Sequence, residues 1–386
     1  MDYTFADRLK NITSSATVSL AERAKSLRDA GQDVIDLTIG EPDFPTPPHI
    51  IRAGYRAMIK GHTKYTNSRG IIELRKAIAQ KLENENELLY SADTEIIVTP
   101  GGKQAIMYAV LALINPGDEV LCIEPCWLGY ESCIALAGGV YAGVETREED
   151  EYAVTEKQIL EKVTPKTKLI IINSPSNPTG KVLTKEELEI ISKICIERNM
   201  ICISDDIYEK IIFDNHQFHS IASLPSMRER TLILNGFSKA YSMTGWRLAY
   251  LAGDRKILGQ INKLQQLSAT CPSAVSQWAG VEALTGLQMH LKKMTQAYEL
   301  RRNIVHKGFN NKKLACFKPQ GAFYGFVNIK RLGVNSDQAC ECLLEKAKIV
   351  TVPGHVFGRA GEGYVRISFG TSEKNLKKAI KNLEYL

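Results

Sequence analysis

Short, continuous apolar runs punctuate the first two thirds of the chain. They fall at EIIVT (95–99), EVLCI (119–123), KLIIIN (168–173), MICIS (200–204), TLILN (231–235) and RLAYLAG (247–253). Most are separated by amphipathic stretches of helical length, such as KQAIMYAVLALI (103–114) and TKEELEIISKICIERN (184–199). A run that is apolar throughout, rather than at every second position, marks a strand buried on both faces. Strand–helix alternation of this kind predicts an α/β fold with a doubly wound, mostly parallel sheet. Thr184 followed three residues later by Glu187 is a capping box, which predicts a firm start for the helix after it.

After about residue 283 the pattern changes. The polar helical stretch LQMHLKKMTQAYELRRNIVHKGF reads as a connecting element, and GAFYGFVNI, KIVTVPG and GYVRISFG read as strands with a terminal helix behind them. That is α+β organisation. The first 45 residues hold one helix, AERAKSLRDAG, and a turn-rich stretch, GEPDFPTPP, expected to pack with the C-terminal part. The expected division is a large domain over 46–282 and a smaller, discontinuous α+β domain from both chain ends, 1–45 and 283–386. There is no internal repeat and no low-complexity segment.

Composition narrows the class. A chain of 386 residues can bury roughly three quarters of its unfolded surface, so it needs no disulfide or metal staple. Lys+Arg 49 against Asp+Glu 43 leaves +6, spread rather than clustered, so nucleic acid and anionic membranes are not expected partners. The nine cysteines are odd in number and form no CxxC pair, the usage of a reduced, cytoplasmic chain without a metal site. The N-terminus carries no apolar segment of the secretory kind, and no apolar stretch reaches the roughly 18 residues that span a bilayer.

In doubly wound sheets, ligands gather at the carboxyl ends of the strands. Four apolar runs end in residues with chemistry: Gly101-Gly102-Lys103, then NSPSNPTG with Asn177, then Asp205-Asp206-Ile207-Tyr208, then FSKAYSMTGWR with Ser238, Lys239 and Arg247. Gly101 and Gly102 open a helix, where bare N–H groups suit a phosphate, although a plain strand-to-helix turn reads the same. Lys239 is either a surface lysine or an amine held neutral in a partly apolar pocket, able to act as nucleophile and base. Asp205 is either a helix N-cap or an acid that keeps a proton on a cofactor ring nitrogen. Arg366 sits inside an apolar strand, which calls either for an internal salt bridge or for a substrate carboxylate. The seven histidines show no ligand spacing.

SPSNPTG, ISDDIYE and FSKAYSMTGWR, in this order, closely resemble the fold-type I aminotransferases, which use pyridoxal 5′-phosphate. LTIGEPDFPTP, KYTNSRGIIELRKAIA, TPGGKQA, NPGDEV, QGAFY and VRISFGTSEKNL resemble their bacterial aspartate aminotransferase-like branch (class I/II). The resemblance runs from about Ser15 to the end.

It implies a transferase of nitrogenous groups that moves an amino group between an L-amino acid and a 2-oxo acid by a ping-pong route. Lys239 would carry the cofactor covalently and shuttle the proton between the substrate Cα and the cofactor. Asp205 would pair with the ring nitrogen, and Tyr208 and Asn177 with the ring oxygen. Gly101, Gly102, Ser238 and Arg247 would bind the phosphate, with Lys103 beside them or reaching an acidic substrate side chain together with Ser15, Ala16 and Thr17. Trp127 would lie against the ring. Arg366, with Asn177 and Gly40, would hold the substrate α-carboxylate. Tyr65 would reach the phosphate of a neighbouring subunit, which implies a homodimer with shared active sites. Glu124-Pro125 and Asn177-Pro178 would be cis.

Three departures stand out: Asp206 where the branch usually has Glu, Cys126 and Leu128 flanking Trp127 where the family often has aromatic residues, and Tyr130 where some relatives have a His supporting Asp205. The alternative activity is a lyase, such as a C–S β-lyase, on the same fold. A cofactor-sensing transcription regulator would need a DNA-binding domain ahead of residue 15, and a nicotinamide dehydrogenase would need a glycine fingerprint that is missing.

Overall fold

In a computed structural model, describing residues 3–10, 12, 16–311 and 313–386, the apolar runs become the strands of one sheet. In chain order the strands are β1 (Ile35–Asp36), β2 (Ile96–Thr99), β3 (Glu119–Glu124), β4 (Val140–Glu145), β5 (Thr167–Asn173), β6 (Ile201–Asp205), β7 (Thr231–Gly236) and β8 (Ala249–Ala252). They continue as β9 (Ala315–Cys316), β10 (Tyr324–Asn328), β11 (Ile349–Val350), β12 (Val352–Pro353) and β13 (Tyr364–Ser368).

The seven-stranded sheet has the order β2-β8-β7-β6-β5-β3-β4. All strands but β8 point the same way, because β8 pairs antiparallel with both β2 and β7. β8 follows β7 without an intervening helix, so the chain can only turn back on itself there.

Both faces of the sheet are covered, which explains the unbroken apolar runs. Leu169 and Ile171 of β5 face one cluster, with Ala105 and Ile106 of the helix Gly102–Leu113. Ile170 and Ile172 face the opposite cluster, with Leu188 and Ile191 of the helix Lys185–Glu197. Each such side chain contributes about 1.5–3 kcal/mol by leaving water. The capping box at Thr184 is formed in both directions. β4 escaped the apolar pattern because it is an edge strand with an exposed Val140.

The C-terminal strands form a second, antiparallel sheet, β12-β13-β10-β9. The helices Met289–Phe309, Ser336–Ala347 and Glu373–Asn382 supply its core with Phe309, Leu343 and Leu376. The N-terminal segment joins it: β1 pairs parallel with β11, and Leu37 O accepts from Ser368 N at 2.8 Å. Arg301 on the long helix reaches Asp43 at 2.7 Å. Among the described residues no helix is long and apolar enough to cross a membrane.

Candidate active site

The carboxyl ends of β2, β5, β6 and β7 open onto one cavity of about 780 Å³. It is lined by Gly40, Gly102, Lys103, Trp127, Asn177, Asp205, Tyr208, Ser238, Lys239, Arg247 and Arg366. The parallel strands deliver the strand-end residues to one edge, while Gly40 and Arg366, 326 positions apart, reach the cavity from outside that sheet. Gly101 stands one residue behind this wall. Tyr65 does not join it: its side chain is 85% exposed on the surface. Ser15 lies outside the described residues, as do the side chains of Ala16 and Thr17.

At one end of the cavity, Gly101 has φ +90°, which favours glycine, and a Cβ there would stand 2.6 Å from Nη2 of Arg247. The Arg247 guanidinium therefore rests against the N-terminus of the helix Gly102–Leu113. Its Nη1 donates to Thr244 O at 2.9 Å, and it forms no ion pair among the described residues. A helix N-terminus and an uncommitted guanidinium make a ready anion cradle. Lys103 instead stands with its Nζ 5.7 Å from the centre of the Trp127 ring.

Asp205 closes the floor. It does not cap a helix: its Oδ1 accepts from Ile207 N at 3.3 Å in a turn, and its Oδ2 accepts from the Tyr130 hydroxyl at 2.7 Å. Burial pushes its carboxyl up to about 6, against the hydrogen bonds of Tyr130 and Ile207 and the charge of Lys239. Asp206 turns away and accepts from Ser204 Oγ at 2.6 Å.

Lys239 is half-buried between the rings of Tyr208 and Phe323, 5.8 and 5.7 Å from their centres, and donates to Gly40 O. Burial lowers its amine to about 8, helped by the positive charge of Arg366 and opposed by Glu41 and Asp205. The choice between surface lysine and pocket amine is thus decided for the pocket. Tyr208 shares a 2.8 Å hydrogen bond with the Tyr324 hydroxyl.

Arg366 on β13 is 3% exposed. Its Nη2 donates to Thr38 O at 2.6 Å and its Nη1 to Asn177 Oδ1 at 3.3 Å. Its guanidinium lies over the rings of Tyr324 and Phe357, at 4.7 and 5.2 Å. Nε is buried without a partner, and no ion pair among the described residues involves this side chain. The internal salt bridge is therefore excluded among the described residues. A permanently charged group held dry by neutral acceptors calls for an anion.

An anion cradle, a buried acid, a lowered lysine and an indole face in one cavity suit a cofactor such as pyridoxal 5′-phosphate. The chain matches the family model of class I and II aminotransferases over residues 32–383. It belongs to that family. It is 40% identical to the aromatic-amino-acid aminotransferase 2 of Thermococcus litoralis, covering 98% of this chain and 97% of that one. It is equally similar to the aspartate aminotransferase of Geobacillus stearothermophilus, at 40% identity over the same shares. Among solved structures, the aspartate aminotransferase of Thermus thermophilus with maleate superposes with a TM-score of 0.96 at 37% identity, each chain fully covered. This chain is accordingly a pyridoxal-phosphate-dependent aminotransferase acting on amino and 2-oxo acids.

Some residues of the aminotransferase cavity were not singled out from the sequence. Asn173 ends β5 and ties two strand ends together: its Nδ2 donates to Asp205 O at 2.8 Å and its Oδ1 accepts from Asn177 N at 2.8 Å. Its place at the end of an apolar run was the available signal. Thr38 and Phe357, which hold Arg366, carry no such signal. The peptide bonds Glu124-Pro125 and Asn177-Pro178 are cis, as the resemblance implied, and so is Ser174-Pro175.

Proposed function

We propose that this aminotransferase holds its cofactor and substrate with the residues gathered in the cavity, and that it prefers dicarboxylic substrates. When bound, the cofactor supplies an electron sink for the charge left on the substrate Cα. Gly101, Gly102, Ser238 and Arg247 would bind its phosphate, with Lys103 beside them, and Trp127 would lie against its ring. Asp205 would hold the proton on the ring nitrogen, with Tyr130 fixing the carboxylate. Tyr208 and Asn177 donate toward the ring oxygen.

Lys239 would hold the cofactor through its amine, and that amine would take the proton from the substrate Cα. An amine lowered to about 8 is neutral often enough near pH 7 to do so. Arg366 clamps the substrate α-carboxylate with Asn177 and Gly40. Its buried guanidinium without an acidic partner is the observation that carries this reading.

The preference for acidic side chains is supported by Lys103 at the cavity wall and by the aspartate aminotransferases among the relatives. The same reading includes a homodimer in which Tyr65 serves the neighbouring site, supported by its exposed ring and by Tyr55 and Met58 exposed nearby. It also includes two domains, 46–282 and 1–45 with 283–386, and a cytoplasmic location, supported by nine free cysteines.

The test is a half-reaction screen of the holoenzyme with each of the twenty amino acids, read by the cofactor absorbance. L-Aspartate and L-glutamate are expected to convert it fastest. L-Phenylalanine or L-tyrosine outrunning both would replace the dicarboxylate reading. Pyruvate and ammonia released from one amino acid, with no acceptor, would replace transamination with lyase chemistry.

A further inference from the structure

Glu124 is an acid that the chemistry above leaves unused, and it is 2% exposed. It ends β3, three residues before Trp127 of the cavity wall. Its Oε1 accepts from the Tyr141 hydroxyl at 2.8 Å, and its Oε2 accepts from Ala360 N at 3.1 Å. No ion pair among the described residues involves it. The chain is shaped around this carboxylate: a Cβ at Gly143 would stand 2.1 Å from Oε1, and one at Gly358 would stand 2.3 Å from Cδ.

Ala360 and Gly358 belong to the turn 354–361, which precedes β13. A second bond ties the same turn to the same strand end, since Cys126 N donates to Phe357 O at 2.9 Å. Phe357 is 1% exposed and its ring backs the Arg366 guanidinium at 5.2 Å. The opposite neighbour, Tyr324, is fixed by β10 within the sheet. One side of the Arg366 slot is therefore rigid strand. The other is a turn with little backbone pairing of its own, held by two bonds from the end of β3 and by Phe357 packing against Phe326.

We propose that Glu124 is a positioning residue for carboxylate recognition: it pins the turn 354–361, so that Phe357 holds Arg366 in the orientation that meets the substrate carboxylate. The proposal rests on the assignment of Arg366 as the carboxylate clamp. Removing the Glu124 carboxylate leaves Ala360 N without its acceptor and the Tyr141 hydroxyl with only Cys126 Sγ at 3.4 Å, and the turn is then free to relax. Both substrates of a ping-pong transamination present the same α-carboxylate, so both must be affected.

The experiment measures KM and kcat of the holoenzyme with L-glutamate and 2-oxoglutarate for Glu124→Ala, Glu124→Gln, Arg366→Ala and the double variant Glu124→Ala/Arg366→Ala. Glu124→Ala is expected to raise KM for both substrates about tenfold, with kcat changing by less than about threefold. Glu124→Gln, whose amide oxygen still accepts, is expected to recover most of that loss. In the Arg366→Ala background, Glu124→Ala is expected to add nothing to KM. A Glu124→Ala holoenzyme with unchanged KM overturns the proposal, as does a KM rise that persists undiminished without Arg366. An Arg366→Ala enzyme with unchanged KM overturns the clamp assignment instead. Where Glu124→Ala does not fold, Tyr141→Phe decides by removing one donor to the same carboxylate. A rise in KM of about two- to threefold supports the proposal and an unchanged KM overturns it.

Discussion

Tyr130 donates a 2.7 Å hydrogen bond to Oδ2 of Asp205 in the floor of the cavity. The bond favours the charged carboxylate and so works against the burial that lifts Asp205 to about 6. Tyr130→Phe removes the hydroxyl and keeps the ring. The Asp205 carboxyl is then expected to rise above about 6, which moves the acid limb of the kcat/KM profile to higher pH. Activity at pH 6 is expected to fall about tenfold, with a smaller loss at pH 8. A loss of equal size at both pH values would mean that the hydroxyl serves something other than the ionisation of Asp205.

Lys239 carries a stability cost that depends on pH. Its amine falls from 10.5 to about 8 in the folded protein, so the folded state holds this proton less tightly than the unfolded chain. In the cofactor-free protein the cost is fully present below pH 8. It fades between 8 and 10.5, where only the unfolded chain keeps the proton, and is gone above. Lys239→Met is expected to stabilise the cofactor-free protein by on the order of 2–3 kcal/mol at pH 7, and by clearly less at pH 10. Urea unfolding at the two pH values measures this, and a gain that does not shrink at pH 10 would contradict it.

Arg366 offers a planar fork, which an ammonium cannot imitate. Arg366→Lys keeps the charge and loses the paired geometry. A drop in kcat/KM of about a hundredfold is expected for amino and 2-oxo acid alike, with the cofactor still bound and its absorbance unchanged. Steady-state kinetics with absorbance of the resting holoenzyme separates this from cofactor loss, and near-normal kcat/KM would remove Arg366 from substrate binding.

Away from the cavity, Arg302 is fully buried and depends on Asp214, which accepts from it at 2.7 and 2.9 Å and is held well below the usual carboxylate range by that contact and by Lys318. Asp214 has φ +52°, which Asn tolerates, so Asp214→Asn changes charge with little change of backbone. A loss of about 1–2 kcal/mol is expected at pH 7, because Asp214 is partly screened by solvent and Glu299 at 3.6 Å and Pro319 O still face the buried cation. Because the folded pKa is depressed, the contribution of the pair is present above about pH 4 and is lost as pH falls below it. The variant and the parent should therefore converge in stability in strong acid, as denaturant melts can check.

The site was legible to the extent that strand ends announce it. Lys239, Asp205 and Asn177 each follow an apolar run, and the rule that parallel strands present their carboxyl ends together was enough to gather them. Arg366 was conspicuous as a charge inside an apolar strand. What holds it was legible only in part: Asn177 stands just past a strand end, whereas Thr38, 328 positions away, contributes a carbonyl that no pattern distinguishes. The strand β4 was missed since its exposed edge gives it a mixed composition.

By itself the sequence determined the two-faced burial of the central strands, the mostly parallel sheet and the kind of chemistry its strand ends carry. These follow from local periodicity and from the few residue types able to serve as amine, acid and guanidinium. Tertiary structure alone decided which alternative each residue takes. Burial against Tyr208 and Phe323 makes Lys239 a pocket amine at about 8, and the absence of a nearby acid among the described residues leaves Arg366 waiting for an anion. Protonation and partner choice depend on the dielectric and the charges around a group. Those are set by residues distant in the chain, which only the fold brings together.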